Sequence, residues 1–208
     1  ALAAFVQGAA VGAMMRGINV VDRQFAGGSF SWLHPFPILT GFGMMLGYML
    51  LGAGWLILKT DGALRDWAYD RLAVLAAAVL AVLALAFGVA VTIDVSDGLV
   101  QGGLRLERWV VVLPVFSVAA FVGVGLSRKW RRDALPFTLT VVAFAAAYGT
   151  LGHMIWPYMI PYALTVADAA SPDASLRFLF YGAVIVLPVI AIYTIVVYRV
   201  FRGKISDT

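Results

Sequence analysis

The chain has no cysteine and only two histidines, His34 and His153. The missing thiol excludes disulfides, thiolate zinc, iron–sulfur clusters and thiol catalysis by this chain. Charge is scarce as well. Only 12% of the 208 residues are Asp, Glu, Lys or Arg, against about 25% in soluble domains. So few charges cannot cover a water-facing surface of this size. A soluble enzyme domain, a disordered chain and a nucleic-acid binder are therefore excluded. No phosphate-cradling glycine loop, nucleophile triad or zinc motif is present.

What the chain does have is apolar surface. Hydrophobic residues make up 62% of it and run nearly end to end, so most of the protein belongs in lipid. Five stretches are long enough to cross a bilayer: 35–58, 72–93, 109–126, 135–156 and 178–201. None carries Asp, Glu, Lys or Arg deep inside. Arg199 sits near the end of the last, where it can snorkel to the headgroups. The opening stretch 1–15 is apolar apart from Gln7 and is followed by Arg16. Without a basic segment ahead of it, it does not read as a signal peptide. It is short for a span, which needs about 20 residues, and reads as the second half of a helix. The expectation is an all-α, polytopic membrane helix bundle: five complete spans plus one truncated N-terminal helix, in a single domain over 1–208.

Turn residues agree with these limits. Thr60 or Asp61 can cap the next helix after Lys59, and Asp133 precedes the fifth helix, with Pro136 in its first turn. Pro157 and Pro161 end that helix. Ser171, Pro172 and Asp173 read as N-cap, first turn and dipole-complementing acid of the last. Pro114 and Pro188 lie inside helices and should kink them. Asp61 and Arg65 are spaced i,i+4, and with Trp67 and Tyr69 they suggest a separate short interfacial helix over 64–71.

Basic residues alternate between the two sides. One set of loops holds Arg16, Arg23, Arg105, Arg108 and Arg177. The other set, with the C-terminal tail, holds Lys59, Arg65, Arg71, Arg128, Lys129, Arg131, Arg132, Arg199, Arg202 and Lys204. The richer side is expected to face the cytoplasm, with the C-terminus. Trp32, Trp67, Trp109, Trp130 and Trp156 fall near helix ends, and Trp55 about a turn inside.

Residues able to carry chemistry are few. His34 and His153 fall near the outer interface, where a pair could hold a haem or a metal. The plainer reading is one loop histidine and one hydrogen-bonded between helices. Gln7, Thr40, Thr92, Ser117, Thr138, Thr140, Tyr148, Thr150, Tyr193 and Thr194 are read mostly as interhelical hydrogen-bonders, with Gln7 the one to watch. Asp168, in the outer loop, is either a proton-entry carboxylate or, the preferred reading, a loop-ordering or capping group. Gly41, Gly43, Gly47, Gly52 and Gly54 crowd the second helix, and Gly43/Gly47 form a GxxxG pair. Ala143/Ala147 and Ala145/Gly149 repeat the theme in the fifth. These predict packing and no chemistry.

Three blocks together resemble a known family. The first runs Arg23-Gln24-Phe25-Ala26-Gly27-Gly28-Ser29-Phe30-Ser31-Trp32-Leu33-His34-Pro35-Phe36, on to Leu39-Thr40-Gly41 and then to Gly52-Ala53-Gly54-Trp55 and Lys59-Thr60-Asp61-Gly62. The second is Trp156-Pro157-Tyr158-Met159-Ile160-Pro161 with Leu164-Thr165 and Asp168-Ala169-Ala170-Ser171-Pro172. The third is Leu187-Pro188-Val189-Ile190, Tyr193-Thr194 and Tyr198-Arg199-Val200-Phe201-Arg202-Gly203-Lys204. In this order and spacing they resemble subunit II of the cytochrome bd-type quinol oxidases, most of all the cyanide-insensitive branch.

The resemblance implies a nine-span subunit of the bacterial inner membrane, of which this chain holds the end of the fourth span and the fifth to ninth. It implies a heterodimer with a larger subunit I that carries haem b, haem d, the quinol site and the oxygen-reducing site. It further implies, in some members, a bound quinone, part of a proton path and a small accessory subunit. The family's acidic and histidine/tryptophan/aspartate motifs lie mainly in its first half. No catalytic or metal-ligating residue is therefore carried over to this chain, no haem ligand is assigned to it, and quinone contacts stay open. His34 and His153 stand where many relatives are expected to have other residues. The reading is a non-haem-ligating membrane subunit of a quinol:oxygen oxidoreductase that scaffolds its partner. The rival is half of a secondary transporter or permease, weakened by the charge-free spans and the absence of a repeat.

Overall fold

In lipid every backbone amide must find its partner within its own segment, so apolar runs become helices. The computed structural model describes residues 1–17, 20–21, 24–28, 30, 32–92, 108–160, 164–200 and 203. The sequence readings placed on Arg23, Ser29, Ser31, Ile93, Arg105, Pro161, Phe201, Arg202 and Lys204, and on the side chains of Thr92, Arg108 and Trp109, lie outside the described residues.

The order is α1 Leu2–Met15, β1 Val20–Val21, β2 Gln24–Phe25, α2 Pro35–Lys59, α3 Gly62–Thr92, α4 Arg108–Trp130, α5 Ala134–Ile155, β3 Tyr158–Ile160, β4 Leu164–Thr165, α6 Val166–Ala169 and α7 Asp173–Val200. The strands pair as two tiny antiparallel hairpins in the loops, β1 with β2 and β3 with β4. Five helices, α2, α3, α4, α5 and α7, are long and apolar enough to cross a membrane, and α1 is a shorter apolar helix.

Helices α2 to α5 close into a ring. Each packs on the next, and α5 returns to α2. This is a four-helix bundle with short turns at residues 60–61 and 131–133. Its core gathers Leu50, Ile57, Tyr69, Leu72, Val124 and Ala143. Helix α1 lies outside the ring against α2. Helix α7 buries none of its residues. Its described contacts with α2 are one ring contact, Tyr198 edge-on to Trp55 with centroids 6.3 Å apart, and a long hydrogen bond beside it, from Lys59 Nζ to the Gly203 carbonyl at 3.5 Å.

The crowded glycines of α2 explain the ring, because small residues let helix backbones approach. A Cβ at Gly43 would meet Val82 of α3 at 2.9 Å, and one at Gly47 would collide with the Phe144 ring of α5. The GxxxG pair therefore serves two neighbours rather than one. On the other side of α2, Gly8 and Gly12 of α1 lie against Thr40.

Two boundaries correct the sequence reading. The 64–71 segment is not a separate interfacial helix. It is the start of α3, whose 31 residues run unbroken for about 46 Å, longer than a hydrocarbon core of about 30 Å. Its charges interrupt the hydropathy but not the backbone ladder. Thr60 does not cap α3 with its side chain. Its hydroxyl donates back to the Leu56 carbonyl at 2.7 Å and closes α2, and Gly62, at φ +69°, turns the chain into α3. The last helix starts at Asp173, where the Pro172 carbonyl accepts the amides of Ser175 and Leu176. Helix α5 stops at Ile155, ahead of a cis Trp156–Pro157 bond. Pro114 and Pro188 lie inside α4 and α7, as read.

Candidate functional site

The polar residues collect in three places. The densest is the end of the bundle where α2 stops, α3 starts, α4 stops and α5 starts. Asp61, Arg65, Asp66, Tyr69 and Asp70 come from α3 and its approach; Arg128, Arg131 and Asp133 come from the α4–α5 corner. Arg65 reaches Asp61 at 3.7 Å, Asp66 at 3.8 Å and Asp133 at 3.5 Å. The i,i+4 pair expected from the sequence is the first of these. Arg128 donates to Asp70 at 2.8 Å and Arg131 to Asp66 at 3.1 Å. The Tyr69 hydroxyl, buried in the bundle, donates to Asp133 at 2.9 Å, and Arg131 stacks over the Tyr69 ring.

A backbone feature aims these groups. Arg131 sits at φ +46°, in the left-handed region that often ends a helix. Its amide donates to the Ser127 carbonyl at 3.2 Å. Glycine would adopt this conformation without strain; arginine is there because its side chain folds back onto Tyr69 and Asp66. The network ties α3 to the α4–α5 corner. Pairs exposed to this degree contribute only about 0–1 kcal/mol each, so their effect is on geometry and charge rather than on stability.

The second place is the contact of α1 with α2. Thr40 Oγ1 lies 2.9 Å from the Gly8 carbonyl of α1 and 2.9 Å from the Pro37 carbonyl of its own helix, so its proton is shared between them, and Tyr48 OH donates to Gln7 Oε1 at 3.1 Å. Gln7 is thus the interhelical link expected of it. Tyr48, its partner near the middle of α2, was not singled out in the sequence because it sits in an unbroken apolar run. The expectation that most mild polar residues bond between helices holds only in part. Thr40 does so, and so does Ser117, to the Ala143 carbonyl at 3.0 Å. Thr138, Thr140 and Thr150 instead bond to the carbonyls of Ala134, Pro136 and Ala146 in their own helix. Tyr148 and Tyr193 are exposed. The i−4 carbonyl is always within reach of a helical threonine hydroxyl, so the local partner competes with the distant one.

The third place is the loop between α5 and α7. Thr165 is the N-cap of α6 and accepts from the Asp168 amide at 3.1 Å, while its hydroxyl also lies 2.5 Å from Asp168 Oδ2. A threonine cap with an acid three residues on is a capping box, which is the preferred reading of Asp168. His34 occupies the N-cap position of α2 and His153 the last turn of α5, both exposed. Axial haem ligands in a bundle project inward from facing helices. These two histidines point to the surroundings from separate helix ends, so they do not fit as a haem pair. Among the described residues, no three His, Cys, Asp or Glu side chains gather to hold a metal ion.

Comparison with known proteins matches these features to one family. The chain is similar to the cytochrome bd ubiquinol oxidase subunit 2 of Bacillus subtilis (strain 168), 26% identical over 209 aligned residues that cover 97% of this chain and 60% of the relative. It is also similar to the probable cytochrome oxidase subunit 2 of Haemophilus influenzae, at 25% identity, 98% of this chain and 62% of that one. The cytochrome bd-I ubiquinol oxidase subunit 2 of Escherichia coli (strain K12) matches at 24%, over 97% and 62%. The chain thus spans about three fifths of the length of the curated relatives it matches. The sequence profile of cytochrome bd terminal oxidase subunit II matches residues 1–201, and the chain belongs to that family.

Proposed function

We propose that this chain is part of the non-haem-ligating membrane subunit of a bd-type quinol:oxygen oxidoreductase in an aerobic respiratory chain. Its role is to scaffold a haem-bearing subunit I, in which quinol is oxidised and oxygen reduced. The observation that carries the reading is the match of the family profile across residues 1–201. One feature supports it: α7 presents a long apolar surface, with Phe178 82% exposed, that the described helices leave uncovered. The imbalance of basic residues supports a cytoplasmic C-terminus in the inner membrane. The permease reading finds no intramembrane charge to favour it.

The test is spectroscopic. The subunit is purified through a tag, with and without subunit I, and reduced-minus-oxidised spectra are recorded. Haem bands are expected only when the partner co-purifies. A stoichiometric haem signal on this subunit without the partner would overturn the assignment.

A further inference from the structure

The charged end of the bundle holds more cations than its internal pairs use. Lys59, Arg65, Arg71, Arg128, Lys129, Arg131 and Arg132 face four acids, Asp61, Asp66, Asp70 and Asp133. Each acid lies within 4 Å of Arg65, Arg128 or Arg131. Seven cations against four acids leave this end of the bundle with a net positive charge.

Pairing sorts the two groups. Arg128 and Arg131 bond to Asp70 and Asp66. Lys129 and Arg132, also three apart, are exposed, and Trp130 between them is 62% exposed. The left-handed turn at Arg131 ends α4, and the Arg131 side chain lies over the Tyr69 ring. Two exposed cations therefore flank an exposed indole in the sequence at the end of an apolar helix. Indoles prefer the headgroup level, and clustered cations beside a span attract anionic lipid. Cation–indole pairs occur at the same end on the neighbouring helices, Arg71 over the exposed Trp67 of α3 and Lys59 over Trp55 of α2.

We infer that Lys129, Trp130 and Arg132 form a binding site for the phosphate headgroup of an anionic phospholipid. The two cations take the phosphate and the indole lies along the glycerol and upper acyl region. A zwitterionic headgroup brings its own cation and is held less well. The site does not depend on which side of the membrane this end faces.

The oxidase complex is purified from vesicles of equimolar phosphatidylglycerol and phosphatidylcholine, and the retained lipid is counted by native mass spectrometry. The intact complex is expected to retain phosphatidylglycerol preferentially. K129Q/R132Q should lose roughly fivefold of that preference for each cation removed, while K129R/R132K, which also reports on folding, should keep it. Addition of inorganic phosphate should leave the preference unchanged. Equal lipid retention by K129Q/R132Q and the intact complex would overturn the site. Displacement of the lipid by millimolar inorganic phosphate would overturn its assignment to a lipid.

Discussion

The ring of α2–α5 and the last helix, α7, are made of the same kind of residue and end in opposite surroundings. Leu50 of α2 is fully buried, whereas Leu187 of α7 is 62% exposed. Hydrophobicity does not separate them, because lipid tails are as apolar as leucine and drive no helix together. Small residues do. Helix α2 places Gly43, Gly47 and Gly54 against α3 and α5, whereas a Cβ on Gly182 of α7 would meet nothing within 4 Å. Apolar composition says that a helix avoids water; small residues in close contact mark where, among the described residues, it meets another helix.

The sharpest way to break this contrast is a matched pair of truncations. Leu50→Ala should destabilise the subunit by about 2 kcal/mol, the low end for a buried leucine, because in a membrane the cavity and packing losses remain while the transfer from water drops out. Leu187→Ala should cost under about 0.5 kcal/mol, as at a site without tight contacts. Thermal unfolding in detergent reads both. Equal losses would mean that α7 is packed as firmly as the ring.

A finer comparison lies within α2 itself. A Cβ at Gly54 would sit 3.1 Å from the Phe137 backbone, which cannot step aside, while one at Gly52 would meet nothing within 4 Å. Gly54→Ala should therefore destabilise by about 1–2 kcal/mol through overpacking. Gly52→Ala should be neutral or gain up to about 1 kcal/mol in helix propensity. The same unfolding assay gives the sign, and a costly Gly52→Ala would show that this face is covered in the isolated subunit.

The smallest effect is expected outside the ring. Tyr48→Phe removes the bond to Gln7 and should cost about 0.6 kcal/mol, the average for such bonds in membranes. The loss should appear as faster amide exchange in α1, with the ring unchanged. Slower closure of the whole bundle would place α1 in the core instead.

Much of the fold could be read from the chain because lipid imposes one rule on every span. The apolar runs and turn residues located all five long helices and the short first one. The exceptions come from competing physics. The charges of Arg65, Asp66, Asp70 and Arg71 signal an interface, but they sit on a helix that continues through it. The hydroxyls of Thr138, Thr140 and Thr150 take local partners instead of distant ones. Arg131 could not be foreseen as a left-handed residue, since nothing in the sequence marks a non-glycine cap before its tertiary partner is known. The inward pairs of Arg128 and Arg131 needed the same closure. The Asp61–Arg65 pair and the cap at Asp168 were legible because both are local.

The closing of the ring also has a timetable. Helix α5 supplies Phe144 to the notch at Gly47 and its Phe137 backbone to the notch at Gly54, yet it is synthesised only after α3 and α4. Helix α2 therefore enters the bilayer with two open notches, which the translocon or lipid chains must fill while the ribosome makes the rest. Within the ring, the contact that seals it is the one that spans the most chain, so closure of the ring is paced by its most non-local helix pair.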